Sequence, residues 1–215
     1  MEPALGKGIY TITDVARILN IPKIRVRYWF AKYVSGEFES KQGTTYFYDS
    51  ENIAVNFYTL IETFVFFHLK EKGTKTKNII QAHNILAKHY KTPYPFALYK
   101  FLSSGKDLFH DFETENLFSL DGTKQLAIRD VINHYSENIH FGEVYAEKYY
   151  PNGNDKLIVV NPNNQFGAPI IDGTNIKAST IMSLVKGGES IDVICSMYKI
   201  KTEQVNTVIQ FMSAA

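Results

Sequence analysis

Apolar residues recur at helical spacing in two short segments near the start of the chain. In the first segment, Thr11 can cap a helix, and Asp14, three residues later, completes a reciprocal capping box. Asn20 tolerates the left-handed backbone that ends a helix. The positions between them that form the buried face are Val15, Ala16, Ile18 and Leu19. The pattern therefore predicts a short amphipathic helix followed by a tight turn.

The second segment predicts a helix from Pro22 to Tyr33. Proline suits the start of a helix because its missing N–H is not needed there. One stripe of this helix is apolar and aromatic, at Val26, Trp29, Phe30 and Tyr33. The remaining surface carries Lys23, Arg25, Arg27, Tyr28 and Lys32. Two short helices joined by a tight turn predict a helix-turn-helix.

A β-hairpin is predicted after the second helix. Residues 37–39 and the β-prone run 44–48 flank the polar turn 40–43, which is typical of a two-stranded wing. A long, almost entirely apolar helix is then expected, capped by Asp49 or Ser50 and ending at about Lys72. Such a helix is either buried within a domain or part of a dimer interface. A further helix is expected from Thr74 or Thr76 to Tyr90.

The middle of the chain has a mixed pattern. Short strands are predicted over 98–120, a helix over 123–135, and further strands over 139–150 and 156–160. These elements predict a small α+β unit.

Three short helices are predicted at the C-terminus, after an extended arm over 166–176. They cover 179–186, 191–198 with Ser190 as cap, and 203–212 with Thr202 as cap. Their predicted core consists of Val193, Ile194, Met197, Ile200, Val205, Val208, Ile209 and Phe211. The last two helices could form a second helix-turn-helix, but their weakly charged surface favours a protein-contact module.

The predicted fold class is therefore mainly α, with α+β character. We expect a winged helix-turn-helix over residues 1–92, a mixed α+β connecting region over 93–160, and a helical domain over 161–215.

Composition indicates a folded chain without a membrane span. The chain has 215 residues, 45% hydrophobic and 14% aromatic, unlike a disordered chain. The longest strongly apolar run, 57–69, contains Glu62 and is shorter than the roughly 20 residues that cross a bilayer. The N-terminus lacks the features of a signal peptide. Because the single cysteine, Cys195, also fits a reducing compartment, we expect a cytoplasmic protein.

The charges are unevenly distributed. The whole chain has a formal net charge of +1, but residues 1–99 hold 13 basic and 8 acidic residues. Three of the four arginines, Arg17, Arg25 and Arg27, lie within eleven positions. Arginine can bind phosphate or guanine through two parallel hydrogen bonds, which favours DNA contact over simple solvation of the helices. The candidate DNA-binding residues are Thr13, Arg17, Lys23, Arg25, Arg27, Tyr28 and Lys32, with Lys41 and Gln42 at the tip of the wing.

No motif for catalysis or metal binding is present. Six histidines, at 68, 83, 89, 110, 134 and 140, lack the spacing of metal ligands. Glycine patterns for nucleotide phosphates and nucleophile motifs are also missing. We expect no enzyme activity, no cofactor and no metal.

The N-terminal residues 10–19, Tyr-Thr-Ile-Thr-Asp-Val-Ala-Arg-Ile-Leu, and residues 26–29, Val-Arg-Tyr-Trp, resemble the MerR-like winged helix-turn-helix. In that family the Arg-Tyr pair of the second helix contacts DNA. The resemblance therefore implies that Arg27 and Tyr28 contact the DNA backbone and groove.

The C-terminal segment resembles the family called domain of unknown function 433. The residues that carry the resemblance are Gly167, Pro169, Ile171, Gly173, Thr174, Ile176, Gly188 and Ser190. Where the family has arginine after Gly-Thr, this chain has Asn175, so any ion pair of that arginine is absent or replaced. The order of segments along the chain is similar to VapB-type antitoxins that carry this tail.

That resemblance implies an antitoxin that represses its own operon and neutralises a PIN-type ribonuclease toxin. The expected partners are operator DNA, the toxin and a second copy of the chain in a symmetric homodimer. The candidate partner-binding residues are Asn175, Ile176, Lys199 and Lys201. The alternatives are a ligand-responsive MerR-like transcriptional regulator, with a small-molecule pocket in its aromatic middle, and an adaptor that binds only proteins.

Overall fold

The computed structural model describes residues 8–31, 45–47, 53–98, 138–153 and 157–214. The fold is mainly α, with short antiparallel sheets, which confirms the predicted class. The helices are α1 (Ile12–Leu19), α2 (Lys23–Trp29), α3 (Phe57–Glu71), α4 (Thr76–Tyr90), α5 (Ala178–Lys186), α6 (Ile191–Tyr198) and α7 (Thr202–Ser213). The strands are β1 (Tyr10–Thr11), β2 (Thr45–Phe47), β3 (Ala54–Val55), β4 (Ile139–Phe141), β5 (Ala146–Tyr149), β6 (Ile158–Val159) and β7 (Ile170–Ile171).

Helix α1 begins and ends as its sequence predicts. The Thr11 side chain accepts a hydrogen bond from the Asp14 amide, and the Asp14 carboxylate accepts from the Thr11 amide at 3.0 Å. Asn20 has a φ of 52° and ends the helix in the left-handed conformation. Because Pro22 is the residue before α2, it is the cap rather than the first helical residue.

The predicted start of the long helix is wrong. Residues Ala54–Val55 form the central strand of a three-stranded sheet, between β1 and β2. Helix α3 begins only at Phe57, because the Asn56 side chain accepts a hydrogen bond from the Thr59 amide and caps it. The first arm of the predicted hairpin and its turn, residues 37–43, lie outside the described residues, as do Tyr33, residues 99–120 and 123–135.

Helix α3 is buried within the chain. Its buried residues include Phe57, Leu60, Ile61 and Leu69, and they share one core with α1, α2 and α4. The same core takes in Tyr94, Phe96 and Ala97 of a 3₁₀ turn and residues of β4 and β5. Of the two readings of the apolar pattern, burial within the domain is therefore the one observed.

The β4–β5 hairpin connects the head, meaning the described residues within 8–98 with β1–β3 and α1–α4, to the C-terminal region. Tyr149 exchanges backbone hydrogen bonds with Val160, at 3.0 and 2.8 Å, and so joins the hairpin to the β6–β7 pair. The division at residues 92/93 and 160/161 stays a prediction.

The C-terminal helices form a second core around Ile181, Ile194, Val205 and Val208. The Ser190 hydroxyl caps α6, as predicted. Three expectations for this region are wrong. Thr202 is the first residue of α7 rather than its cap, because Lys201 stands at the cap position. Val193 and Met197 are 44% and 57% exposed instead of buried, because the C-terminal core covers α6 at Ile194 and leaves these two side chains largely uncovered.

Candidate functional site

The basic side chains of α2 lie on its solvent-facing side. Lys23, Arg25 and Arg27 are exposed, and Tyr28 is 60% exposed. Val26 and Trp29 are buried on the opposite side of the helix. The predicted separation of a basic surface from an apolar stripe is therefore present in the structure.

Aromatic packing fixes the buried side of α2. The Trp29 ring lies 5.0 Å from the Phe30 ring, 5.5 Å from Phe66 and 6.3 Å from Phe67, measured between centroids. The last two residues belong to α3, so the long helix supports the second helix from behind. Ring pairs at these separations attract each other beyond simple burial. The exposed side of α2 is thus presented on a rigid base.

Arg25 is oriented by the same aromatic cluster. Its guanidinium carbon lies 5.2 Å from the centroid of the Phe67 ring, within the range of a cation–π contact. The sequence has no acidic residue between positions 21 and 36. This positive charge therefore has no carboxylate neighbour along its own segment.

The two candidate DNA-binding residues of α1 differ in their exposure to solvent. Thr13 is exposed, whereas Arg17 is half-buried and lines a cavity between α1 and the C-terminal arm. The sequence offered no signal for that position, because the arm lies about 150 residues further along the chain. Lys32, Lys41 and Gln42 lie outside the described residues.

Two of the candidate partner-binding residues hold the C-terminal arm together. The Asn175 side-chain oxygen accepts a hydrogen bond from Asn164 at 2.8 Å, and its carbonyl accepts one from Gln165 at 3.2 Å. Ile176 packs against the C-terminal core, and its carbonyl accepts from the Ile171 amide. The position where the resembled family has arginine therefore organises the arm of this chain.

The other two candidates lie at the turn between α6 and α7. Lys199 adopts a left-handed φ of 54° at the end of α6, and Lys201 caps α7. Both are exposed, next to the helix that carries exposed Val193 and Met197. These four exposed residues of α6 and the turn that follows it are called here the α6 patch.

A buried carboxyl group, which the sequence analysis missed as a candidate, lies beneath the head. Glu62 Oε1 accepts hydrogen bonds from the amides of Phe96 and Ala97, at 2.8 and 3.1 Å. Its Oε2 lies 3.2 Å from His83 Nε2. Burial raises the pKa of Glu62 above its ordinary value, and the hydrogen bonds from His83 and the two amides only partly oppose that effect. The sequence does carry a sign of this group, because Glu62 is an acidic residue within the most apolar predicted helix.

The described residues contain neither a metal-binding cluster nor a membrane-spanning helix. In those ranges, no cluster of histidine, cysteine and carboxylate side chains could hold a metal ion. None of the helices in the described part of the chain is long and apolar enough to cross a bilayer.

Comparison with known proteins finds similarity at two scales. Residues 158–212 match the family described as "Protein of unknown function (DUF433)". The crystal structure of Rv2018 from Mycobacterium tuberculosis superposes with a TM-score of 0.71 at 17% identity, covering 93% of this chain and 96% of that chain. At that identity the similarity shows a shared fold.

Similarity to a curated protein covers a shorter part. A candidate antitoxin of Mycobacterium tuberculosis named VapB45 is 18% identical over 92 residues. The matched region is 42% of this chain and spans only 38% of the length of that relative.

Proposed function

We propose that this chain is the antitoxin of a two-gene toxin–antitoxin module. In this proposal it binds its own operator DNA through α2, represses its operon and neutralises a PIN-type ribonuclease as a non-enzymatic, cytoplasmic protein. The similarity to VapB45 and the match to the DUF433 family support the assignment to this class. The observation that carries the proposal is the exposed basic side of α2 on a rigid aromatic base.

The dimensions of α2 suit a DNA groove. An α-helix with its side chains is about 10–12 Å across, and the major groove, about 12 Å wide, admits one. Arg27 and Tyr28 lie on the exposed side, where a guanidinium can reach a guanine edge or a phosphate and a phenol can donate to a phosphate. Lys23 adds a charge at the start of the helix, and Thr13 and Arg17 are further candidates on α1.

A homodimer would place two copies of α2 in successive major grooves. Helix-turn-helix proteins bind half-sites about one helical turn apart through such symmetry. Because α3 is buried within the chain, the dimer contact would use another surface.

The α6 patch is the proposed contact for the toxin. Val193 and Met197 are four residues apart, so they lie on one side of the helix, and Lys199 and Lys201 add positive charge beside them. The patch therefore fits a toxin surface that combines apolar side chains with carboxylates.

Co-expression with the product of the neighbouring gene tests the toxin contact. Wild-type protein is expected to restore growth and to co-purify with the toxin. A double variant, Val193→Asp with Met197→Asp, is expected to lose both effects, whereas Ser183→Asp on exposed α5 is expected to keep them. Full protection by the double variant would overturn the placement of the toxin on α6.

A promoter fusion tests the DNA contact in cells. Arg27→Ala is expected to release repression of the operon promoter, and Lys88→Ala, an exposed change on α4, is expected to leave it repressed. Equal repression by both variants would overturn the role of α2.

A ligand-responsive transcriptional regulator is the second candidate. Its pocket is predicted in the aromatic middle, of which residues 99–137 lie outside the described residues. In the described part, Tyr58 of α3 packs against the Tyr94 and Tyr145 rings at 5.3 and 5.1 Å. The observation that favours this candidate is the cavity between α1 and the C-terminal arm.

A further inference from the structure

A cavity of about 260 Å³ lies between the head and the C-terminal arm. One wall comes from β1 and α1, through Ile9, Asp14, Arg17 and Ile18. The opposite wall comes from residues 165–169, the start of α5 and Met212 at the end of α7. The cavity thus joins parts of the chain that lie more than 140 residues apart in sequence.

The charged lining of the cavity favours an anion. Arg17 comes from the head and Lys177 from the residue before α5, and both are half-buried. The acidic member of the lining, Asp14, already accepts hydrogen bonds from the amide and hydroxyl of Thr11, at 3.0 and 2.6 Å. These bonds hold the Asp14 carboxylate at the start of α1 without cancelling its charge, so the charged lining consists of two cations, Arg17 and Lys177, and one carboxylate.

The remaining lining is largely apolar. Ile9 and Ile18 stand on the head side, and Phe166, Pro169 and Met212 stand on the other. A charged group alone would leave this surface in contact with water. The lining therefore suits a molecule with an anionic end and an apolar body.

The wall formed by the arm is shaped in advance. Gln165 and Phe166 both have left-handed backbones, with φ of 49° and 56°, and the Phe166 side chain is 86% exposed. Hydrogen bonds from Asn164 and Gln165 to Asn175 hold this conformation. The backbone of this wall is therefore set before a guest binds, so that binding does not require the loop to be ordered.

We propose that this cavity binds a small carboxylic acid with an aromatic or branched aliphatic body. The carboxylate would pair with Arg17 and Lys177, and the body would pack on Phe166, Pro169 and Met212. The volume is slightly below the range of about 300–1,000 Å³ that holds drug-sized ligands, which favours a single-ring or similarly small acid. The site shares Arg17 with the candidate DNA contacts, but none of its other lining residues belongs to those candidates or to the α6 patch.

Calorimetric titration of the full chain tests the site directly. The probes are phenylacetate, indole-3-acetate and 4-methylpentanoate. The controls are phenylacetamide, which lacks the negative charge, and acetate, which lacks the apolar body. We expect saturable binding of at least one of the three acids, and none of either control, at concentrations that would saturate a site with a dissociation constant of about 1 mM.

Variants then assign the binding to this cavity. Arg17→Gln and Lys177→Gln are each expected to raise the dissociation constant of the acid roughly tenfold or more, because each variant loses a charge-assisted hydrogen bond. Lys186→Gln, at the exposed end of α5, is the matched control and is expected to bind normally. Thermal unfolding of each variant verifies that the fold is kept, and Lys177 is suitable because its side chain makes no capping hydrogen bond.

Three results would overturn the proposal. They are no saturable binding by any of the three acids, equal binding of phenylacetamide, and unchanged affinity in both cavity variants. Toxin neutralisation does not enter these results, and Lys177→Gln, which changes no candidate DNA contact, distinguishes a failure of this site from a failure of DNA binding.

Discussion

The side chain of Tyr10 rests directly on the backbone of Gly167. A β-carbon at Gly167 would lie 2.7 Å from Cζ of the Tyr10 ring, closer than side chains tolerate. Tyr10 belongs to β1 of the head and is buried, and Gly167 belongs to the C-terminal arm. The contact between these two residues therefore fits the head against the C-terminal region.

Replacing Gly167 by alanine is expected to destabilise the protein for two reasons. Its φ of 85° disfavours any side chain, and the added methyl group meets the Tyr10 ring. We expect a loss of about 2–4 kcal/mol in the free energy of unfolding, from backbone strain and overpacking together. Chemical denaturation measures this loss.

Gly173→Ala separates the two causes. Gly173 has a similar φ of 76°, but a β-carbon there meets nothing within 4 Å. Gly173→Ala is therefore expected to lower the free energy of unfolding by only the backbone-strain contribution, about 1 kcal/mol. Equal losses in the two variants would contradict a tight Tyr10–Gly167 contact.

The buried Glu62 predicts a dependence of stability on pH. Because burial raises its pKa in the folded state above the ordinary value of 4.5, the folded protein holds this proton more tightly than the unfolded chain. The resulting stabilisation is complete below about pH 4.5 and is lost as the pH rises through the raised pKa.

Glu62→Gln is expected to remove this pH-dependent part of the stability. The glutamine side-chain oxygen can still accept hydrogen bonds from the Phe96 and Ala97 amides. Between mildly acidic and neutral pH, the free energy of unfolding should decline more in wild type than in the variant. Urea denaturation at several pH values provides the comparison, and parallel profiles for the two proteins would contradict it.

A buried and an exposed residue of α6 are expected to respond differently to truncation. Ile194 is fully buried in the C-terminal core, so Ile194→Ala should cost about 2–5 kcal/mol. Met197→Ala removes a mostly exposed side chain and should change stability by less than about 0.5 kcal/mol. Thermal unfolding distinguishes the two, and a large loss in the Met197 variant would show that this side chain is covered.

Local signals in the sequence predicted the local structure well. The capping box of Thr11 and Asp14, the left-handed Asn20 and the Ser190 cap are all confirmed, because each depends on residues within a few positions. The buried stripe of α2 is likewise confirmed at Val26, Trp29 and Phe30.

Features that depend on distant parts of the chain could not be predicted in this way. Ala54–Val55 joins a sheet with Tyr10–Thr11, and this pairing together with the Asn56 cap sets the start of α3. Helix α6 is apolar on nearly every side, so its periodicity could not show that Ile194 faces inward and Met197 outward. The position of Arg17 in the cavity depends on the C-terminal arm, which no local pattern near residue 17 reveals.

Binding of the purified chain to its own upstream DNA tests the central claim most directly. Fluorescence anisotropy compares that DNA with scrambled DNA at two salt concentrations, for wild type, Arg27→Ala and the control Lys88→Ala, each with and without the neighbouring gene product. We expect preferential binding that weakens steeply with salt, and a loss of about 1–3 kcal/mol in Arg27→Ala alone. Equal affinity for the two DNAs, or unchanged affinity in Arg27→Ala, would contradict the assignment of α2 as the DNA-binding helix.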